Sequence, residues 1–109
     1  MIAINQQTFQ RALKAGVKIA FGTDVGGFSW DIDPAAQFKT MVKYGMTPAD
    51  ALRSATIDAA GLLGWQDRIG TIEQGKFADI IAVSGNPLDD ITQLEKVNFV
   101  MKGGEIWKK

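Results

Sequence analysis

Side chains able to do chemistry are scarce in this sequence. Its 109 residues include no His and no Cys, which removes imidazole and thiolate as bases, nucleophiles and metal ligands. Neither a Ser-His-Asp triad, nor a disulfide framework, nor a sulfur-ligated zinc can be built from it. Any reactivity must rest on carboxylates, lysines, hydroxyls or the backbone. One carboxylate is conspicuously placed. Asp24 closes Gly22-Thr23-Asp24, directly after the β-prone run from Val17 to Phe21 in which Val17, Ile19 and Phe21 share one side. The residues that follow, Val25-Gly26-Gly27-Phe28-Ser29-Trp30-Asp31-Ile32, have no period and carry two adjacent glycines, so they read as a loop. A strand would thus deliver Asp24 into a loop, where its carboxylate is either a reactive group or simply the cap of a turn.

The elements that position this loop follow from punctuation. Phe9, Ala12 and Leu13 fall at helical spacing within residues 6–15, and Gly16 stands where a left-handed residue would end that helix. Asp33 is a good N-cap with Pro34 at the first helical position; Phe38, Met41 and Val42 form the apolar stripe, and Gly45 ends the helix. Thr47-Pro48-Ala49-Asp50 has capping-box spacing. The run of Leu52, Ala55, Ala59, Leu62 and Leu63 then predicts one tightly packed helix ending at Gly64. Beyond Trp65 the period changes. Residues 69–72, 78–83, 97–102 and 105–107 read as short strands, with Gly103-Gly104 as a two-residue hairpin, Gly85-Asn86-Pro87 as a turn and a short helical turn over 90–94.

The charge balance excludes further classes. Twelve basic residues offset twelve acidic ones, with 22% of residues charged, so neither nucleic acid nor an anionic membrane is an expected partner. The apolar fraction of 46% is that of a globular protein. No apolar run approaches the roughly 20 residues of a membrane span, and the first ten residues lack a signal-peptide pattern. One strand between two helices cannot form a parallel sheet by itself. Its partners are therefore expected on upstream sequence or on another copy of the chain.

Four motifs in order resolve this difficulty: GVKIAFGTDVGG, MVKYGMTPADALRSATIDAAGLLGW, RIGTIEQGKFADIIAVSGNPLDDI and NFVMKGGEIW. Together they resemble the C-terminal part of the metal-dependent amidohydrolase superfamily, nearest in character to imidazolonepropionase-like and Xaa-Pro or Xaa-Arg dipeptidase-like members. Either GTD or GKxAD alone would be weak; their ordered combination over nearly the whole chain is specific. The resemblance implies an α/β fragment: residues 1–66 as the last strand and helices of a (β/α)8 barrel, and residues 67–109 as the C-terminal strands of a small β-sandwich. A complete barrel takes roughly 200 residues or more, so the chain would be about the last quarter of an enzyme.

The resemblance also implies roles. Asp24 matches the family's catalytic Asp after the eighth strand, which binds metal and moves a proton from the attacking water to the departing amine. Zinc or a similar divalent ion is implied for the complete parent, and a small amide or dipeptide as its substrate. The other metal ligands belong upstream, so the isolated chain is expected to bind no catalytic metal and to be inactive, its partner being the missing N-terminal portion or a second copy of itself. Gly26, Gly27, Phe28, Ser29 and Trp30 are candidate substrate contacts, although many relatives carry a His in this loop where Trp30 lies, and packing is the simpler reading of that aromatic. Asp79, in Gly75-Lys76-Phe77-Ala78-Asp79, reads as structural, bonded to nearby backbone or to Lys76. Arg53 and Arg68 read as surface charges, and Trp65 and Trp107 as packing anchors. The rival is a non-catalytic, self-associating α+β module.

Overall fold

Apolar stripes and their caps build the helices. The computed structural model describes residues 2–24 and 33–109. Among these the order is α1 (Ile2–Lys14), α2 (Ala36–Lys43), α3 (Pro48–Ala55), α4 (Ile57–Leu63), β1 (Ile80–Val83), a 3-10 helix (Ile91–Glu95), β2 (Val97–Lys102) and β3 (Glu105–Lys108). Asp33 is not the N-cap of α2 that the sequence predicts; its Oδ1 accepts the Ala35 N–H at 2.9 Å in a turn two residues ahead, and the helix begins at Ala36 with Ala35 as its N-cap. Thr47 Oγ1 accepts the Asp50 N–H at 3.1 Å, which is half of the expected capping box. The Asp50 carboxylate turns instead to Arg53, at 3.1 Å, in an exposed pair of little energetic weight.

Helices this short owe their stability to the face they bury. The stripe of α2 supplies it: Met41 is buried with Met46, Ala51, Ile91 and Leu94, and Phe38 and Val42 pack against that cluster. Phe9 and Leu13 of α1 join it, as do Ile19 and Phe21 of the connecting segment.

The sheet is antiparallel in the order β1-β2-β3. Ile80 pairs with Met101, and Lys102 with Glu105, each ladder carrying one irregularity. Gly103 and Gly104, with φ of 58° and 82°, make the expected two-residue turn, which side chains with a Cβ resist. Asp79 locks this hairpin, its Oδ1 accepting the Gly103 N–H at 2.8 Å while Ala78 O accepts the Gly104 N–H at 3.1 Å. Lys76 points elsewhere, donating to Thr71 Oγ1 at 2.6 Å and pairing with Glu73 at 3.0 Å. The Thr71 hydroxyl, followed by Lys76, holds the Glu73 carboxyl below its ordinary pKa.

Several sequence expectations need correction. The run from Val17 to Phe21 forms no strand, because none of the described strands lies beside it and a strand needs a ladder partner. Residues 69–72 form no strand either; Gly70 takes φ 98° and sits so close to α4 that a Cβ there would lie 2.8 Å from Ala60 Cβ. The single helix expected from Pro48 to Leu63 is two, broken at Thr56 with φ −125° and ψ −90°. The hydroxyls of Ser54 and Thr56 bond back to the carbonyls of Ala51 (2.7 Å) and Leu52 (2.8 Å), a habit that bends helices. The break also changes which face is inward. Ala51, Ser54 and Ala60 are buried, whereas Leu62 and Leu63 are 77% and 66% exposed. Trp107, expected as a packing anchor, is 68% exposed.

Candidate active site

Asp24 has a backbone shape that side chains with a Cβ seldom take. Its φ is 56°, and no other described non-glycine residue has a positive φ. For an L-residue the left-handed region costs about 1–2 kcal/mol, which short polar side chains such as Asp tolerate best. The Asp24 side chain is exposed.

The neighbouring chain explains how it is held. Phe21, three residues earlier, donates its N–H to Ser54 O at 2.9 Å. Its ring stacks on Phe38 of α2, with centroids 4.4 Å apart and planes inclined by 24°. Ser54 is fully buried. In a continuous helix its carbonyl would accept from the amide four residues on, Asp58. Because the helix breaks at Thr56, Asp58 lies in the first turn of α4, whose amides have no acceptor within their own helix. The Ser54 carbonyl is thereby available to Phe21. The sequence places Phe38 in an apolar stripe and singles out neither Phe21 nor Ser54 as a support; a Ser placed two residues before a Thr, inside an alanine-rich stripe, is the signal that could have revealed the break.

The other predicted contacts, Gly26, Gly27, Phe28, Ser29 and Trp30, lie outside the described residues. So does Asp31. Clefts occur elsewhere among the described residues, two of them beside α4. One, of about 750 Å³, is lined by Leu63, Trp65, Ile69, Phe77, Asp79 and Lys102. The second, of about 480 Å³, runs along α4 to Ile80 and Ile81. Asp24 lines neither. Arg68 lies 5.7 Å from the Trp65 ring at the surface, and Trp65 faces Phe77 with centroids 6.5 Å apart.

A metal site is not made up by these residues alone. No group of three or more acidic side chains that could hold an ion occurs among the described residues, and the sequence has no His or Cys to complete one. Asp24 offers one carboxylate, whereas a tetrahedral zinc site takes four ligands.

Comparison with known proteins places the chain. The model of the amidohydrolase family matches residues 1–107. Ochratoxinase of Aspergillus niger is 37% identical over 109 aligned positions, covering 94% of this chain and 22% of the enzyme. Imidazolonepropionase of Geobacillus kaustophilus is 34% identical over 102, covering 89% of this chain and 24% of that protein. Among solved structures, a Xaa-Pro dipeptidase with methionine in its active site superposes with a TM-score of 0.90 at 45% identity, covering 95% of this chain and 25% of that one. The chain spans about a quarter of the length of these relatives. With its motifs in order and nearly every residue matched, the chain belongs to the amidohydrolase family.

Proposed function

We propose that this chain is the C-terminal portion of a metal-dependent hydrolase of C–N bonds, acting on a dipeptide or a small cyclic or acyclic amide. Residues 1–66 are read as the last strand and helices of a (β/α)8 barrel, and residues 67–109 as one share of a small β-sandwich. Val17 to Phe21 then finds its ladder partner on an upstream strand, and Asp24 stands at the C-terminal end of that strand, where barrel enzymes assemble their sites. The observation that carries this reading is Asp24 itself, exposed and left-handed at the end of that segment.

In this reading Asp24 and residues of the upstream portion would hold a divalent ion, which when bound would lower the pKa of a water and polarise the scissile carbonyl. Asp24 takes the proton of the attacking water and delivers it to the departing amine, a task that suits an exposed carboxylate. Upstream residues provide the remaining ligands and select the substrate.

Co-expression of the chain with its upstream portion, followed by assay of methionyl-proline hydrolysis with and without added divalent metal, tests the reading. Metal-dependent turnover that falls at least about 100-fold in Asp24→Asn is expected, the scale of losing a positioned proton-transfer group. Full activity in Asp24→Asn would overturn the role of Asp24. The second reading, a self-associating module without activity, is favoured by the exposure of Leu62, Leu63, Ile72 and Trp107, at 66–79%. It predicts a stable oligomer of the 109-residue chain and no recovered activity with the upstream portion.

A further inference from the structure

We infer that Phe38 is a positioning residue for Asp24, acting across the fold through the ring of Phe21. The inference rests on the proposed role of Asp24 and concerns what keeps that carboxylate in place. A residue with φ near 56° sits uphill and persists only where its surroundings over-determine it. Among the described residues Asp24 makes no hydrogen bond or ion pair of its own, and Gly22 faces open space, with no atom within 4 Å of where a Cβ would stand. The described support nearest to Asp24 along the chain is therefore Phe21.

Phe21 packs on the buried cluster around Met41, and two further contacts that differ in kind orient it. The main-chain bond to Ser54 fixes the position of its backbone at 2.9 Å but leaves the peptide free to tilt about that bond. The ring contact with Phe38, at 4.4 Å and 24°, removes the tilt, because stacked rings resist sliding and rotation that a single hydrogen bond does not. Phe38 is itself fixed, packed on the buried cluster around Met41. Contacts thus run from the core to Phe21, directly and through the Phe38 ring that sets its tilt, and so along the chain to a residue that no described side chain touches by hydrogen bond. Displacement of reacting groups by about 1 Å costs on the order of 100-fold in rate.

The test has two arms, one on the 109-residue chain and one on the chain assembled with its upstream portion. In the first, isotope-labelled wild type, Phe38→Leu and Phe38→Tyr are compared by the backbone resonances and amide coupling of Asp24, which report its φ. Phe38→Leu should move Asp24 toward ordinary negative φ, while Phe38→Tyr, which keeps the ring, should leave it unchanged. In the second, kcat for methionyl-proline should fall about 10- to 100-fold in Phe38→Leu with KM little altered, and Phe38→Tyr should restore it. Should Phe38→Leu not fold, Phe38→Met, with similar bulk and no ring, takes its place. An Asp24 φ indifferent to loss of the ring overturns the inference, as does a Tyr variant as impaired as Leu. An assembled protein without activity would count against the proposed function alone, since the first arm reads Asp24 without turnover.

Discussion

Replacing Asp24 separates the stability of its backbone from its chemistry. The perturbation is a series at this one position: Gly, Asn, Ala and Val. At φ 56° a residue with a Cβ bears about 1–2 kcal/mol that glycine does not. Glycine loses about 0.5–1 kcal/mol more chain entropy on folding than alanine. The difference leaves Asp24→Gly more stable than Asp24→Ala by about 0.5–1 kcal/mol, or about 2–6 °C in Tm for a domain of this size. Asn, which enters the left-handed region through its short polar side chain, should match Asp, and Val, branched at Cβ, should be the least stable. Thermal unfolding followed by circular dichroism on the 109-residue chain reads the order. All four substitutions remove the carboxylate, so all four should be inactive in the assembled protein while their melting temperatures spread apart. An Ala variant that melts at or above the Gly variant would refute the reasoning, since Asp24 would then occupy ordinary backbone space and Phe21 would have nothing strained to hold.

Two further outcomes follow from packing and charge. Gly70→Ala should cost about 2–4 kcal/mol, combining backbone strain at φ 98° with a Cβ placed 2.8 Å from Ala60 Cβ and 3.1 Å from Thr56 O. Gly85→Ala should cost much less, because its Cβ meets the far end of the Gln93 side chain, which can swing away; equal urea midpoints for the two variants would contradict this. Asp90 accepts from the Thr92 hydroxyl at 2.6 Å and the Thr92 amide at 3.0 Å, and these bonds, the hydroxyl first, hold its carboxyl below the ordinary aspartate pKa. A depressed carboxyl contributes stability above its unfolded pKa and loses it as pH falls through the folded value. The advantage of wild type over Asp90→Asn in urea should be constant near neutrality and shrink below about pH 4, and an advantage that grew on acidification would refute the assignment.

Much of the scaffold was legible because local chemistry decides it. Thr47 caps where its spacing said it would, Gly103-Gly104 turns the hairpin, and Met41 lies at the centre of the stripe expected of α2. Asp79 proved structural through a backbone partner 24 residues away, which sequence could indicate only as one of two options. The misses share one cause: their outcome depends on neighbours distant in the chain. Residues 69–72 look like a strand by residue type, yet Gly70 is drawn against Ala60 and the Thr71, Glu73 and Lys76 side chains tie up the turn that follows. Leu62 and Leu63 continue an apolar period whose phase is lost at Thr56, a break set by two hydroxyls rather than by a Gly or Pro.

That break links the helix to the candidate site. A helix continuous from Pro48 to Leu63 would have satisfied its own interior carbonyls and left none at Ser54 for an outside donor. Interrupted at Thr56, it offers that carbonyl from a fully buried residue to the Phe21 amide. If Phe21 positions Asp24 as proposed, the geometry of Asp24 depends on an irregularity more than thirty residues downstream, where local propensity alone would favour unbroken helix. Such a conflict between local preference and global arrangement is what the proposed role of Asp24 calls for, because regular structure then gives way so that one group can be held in a shape it would not otherwise keep.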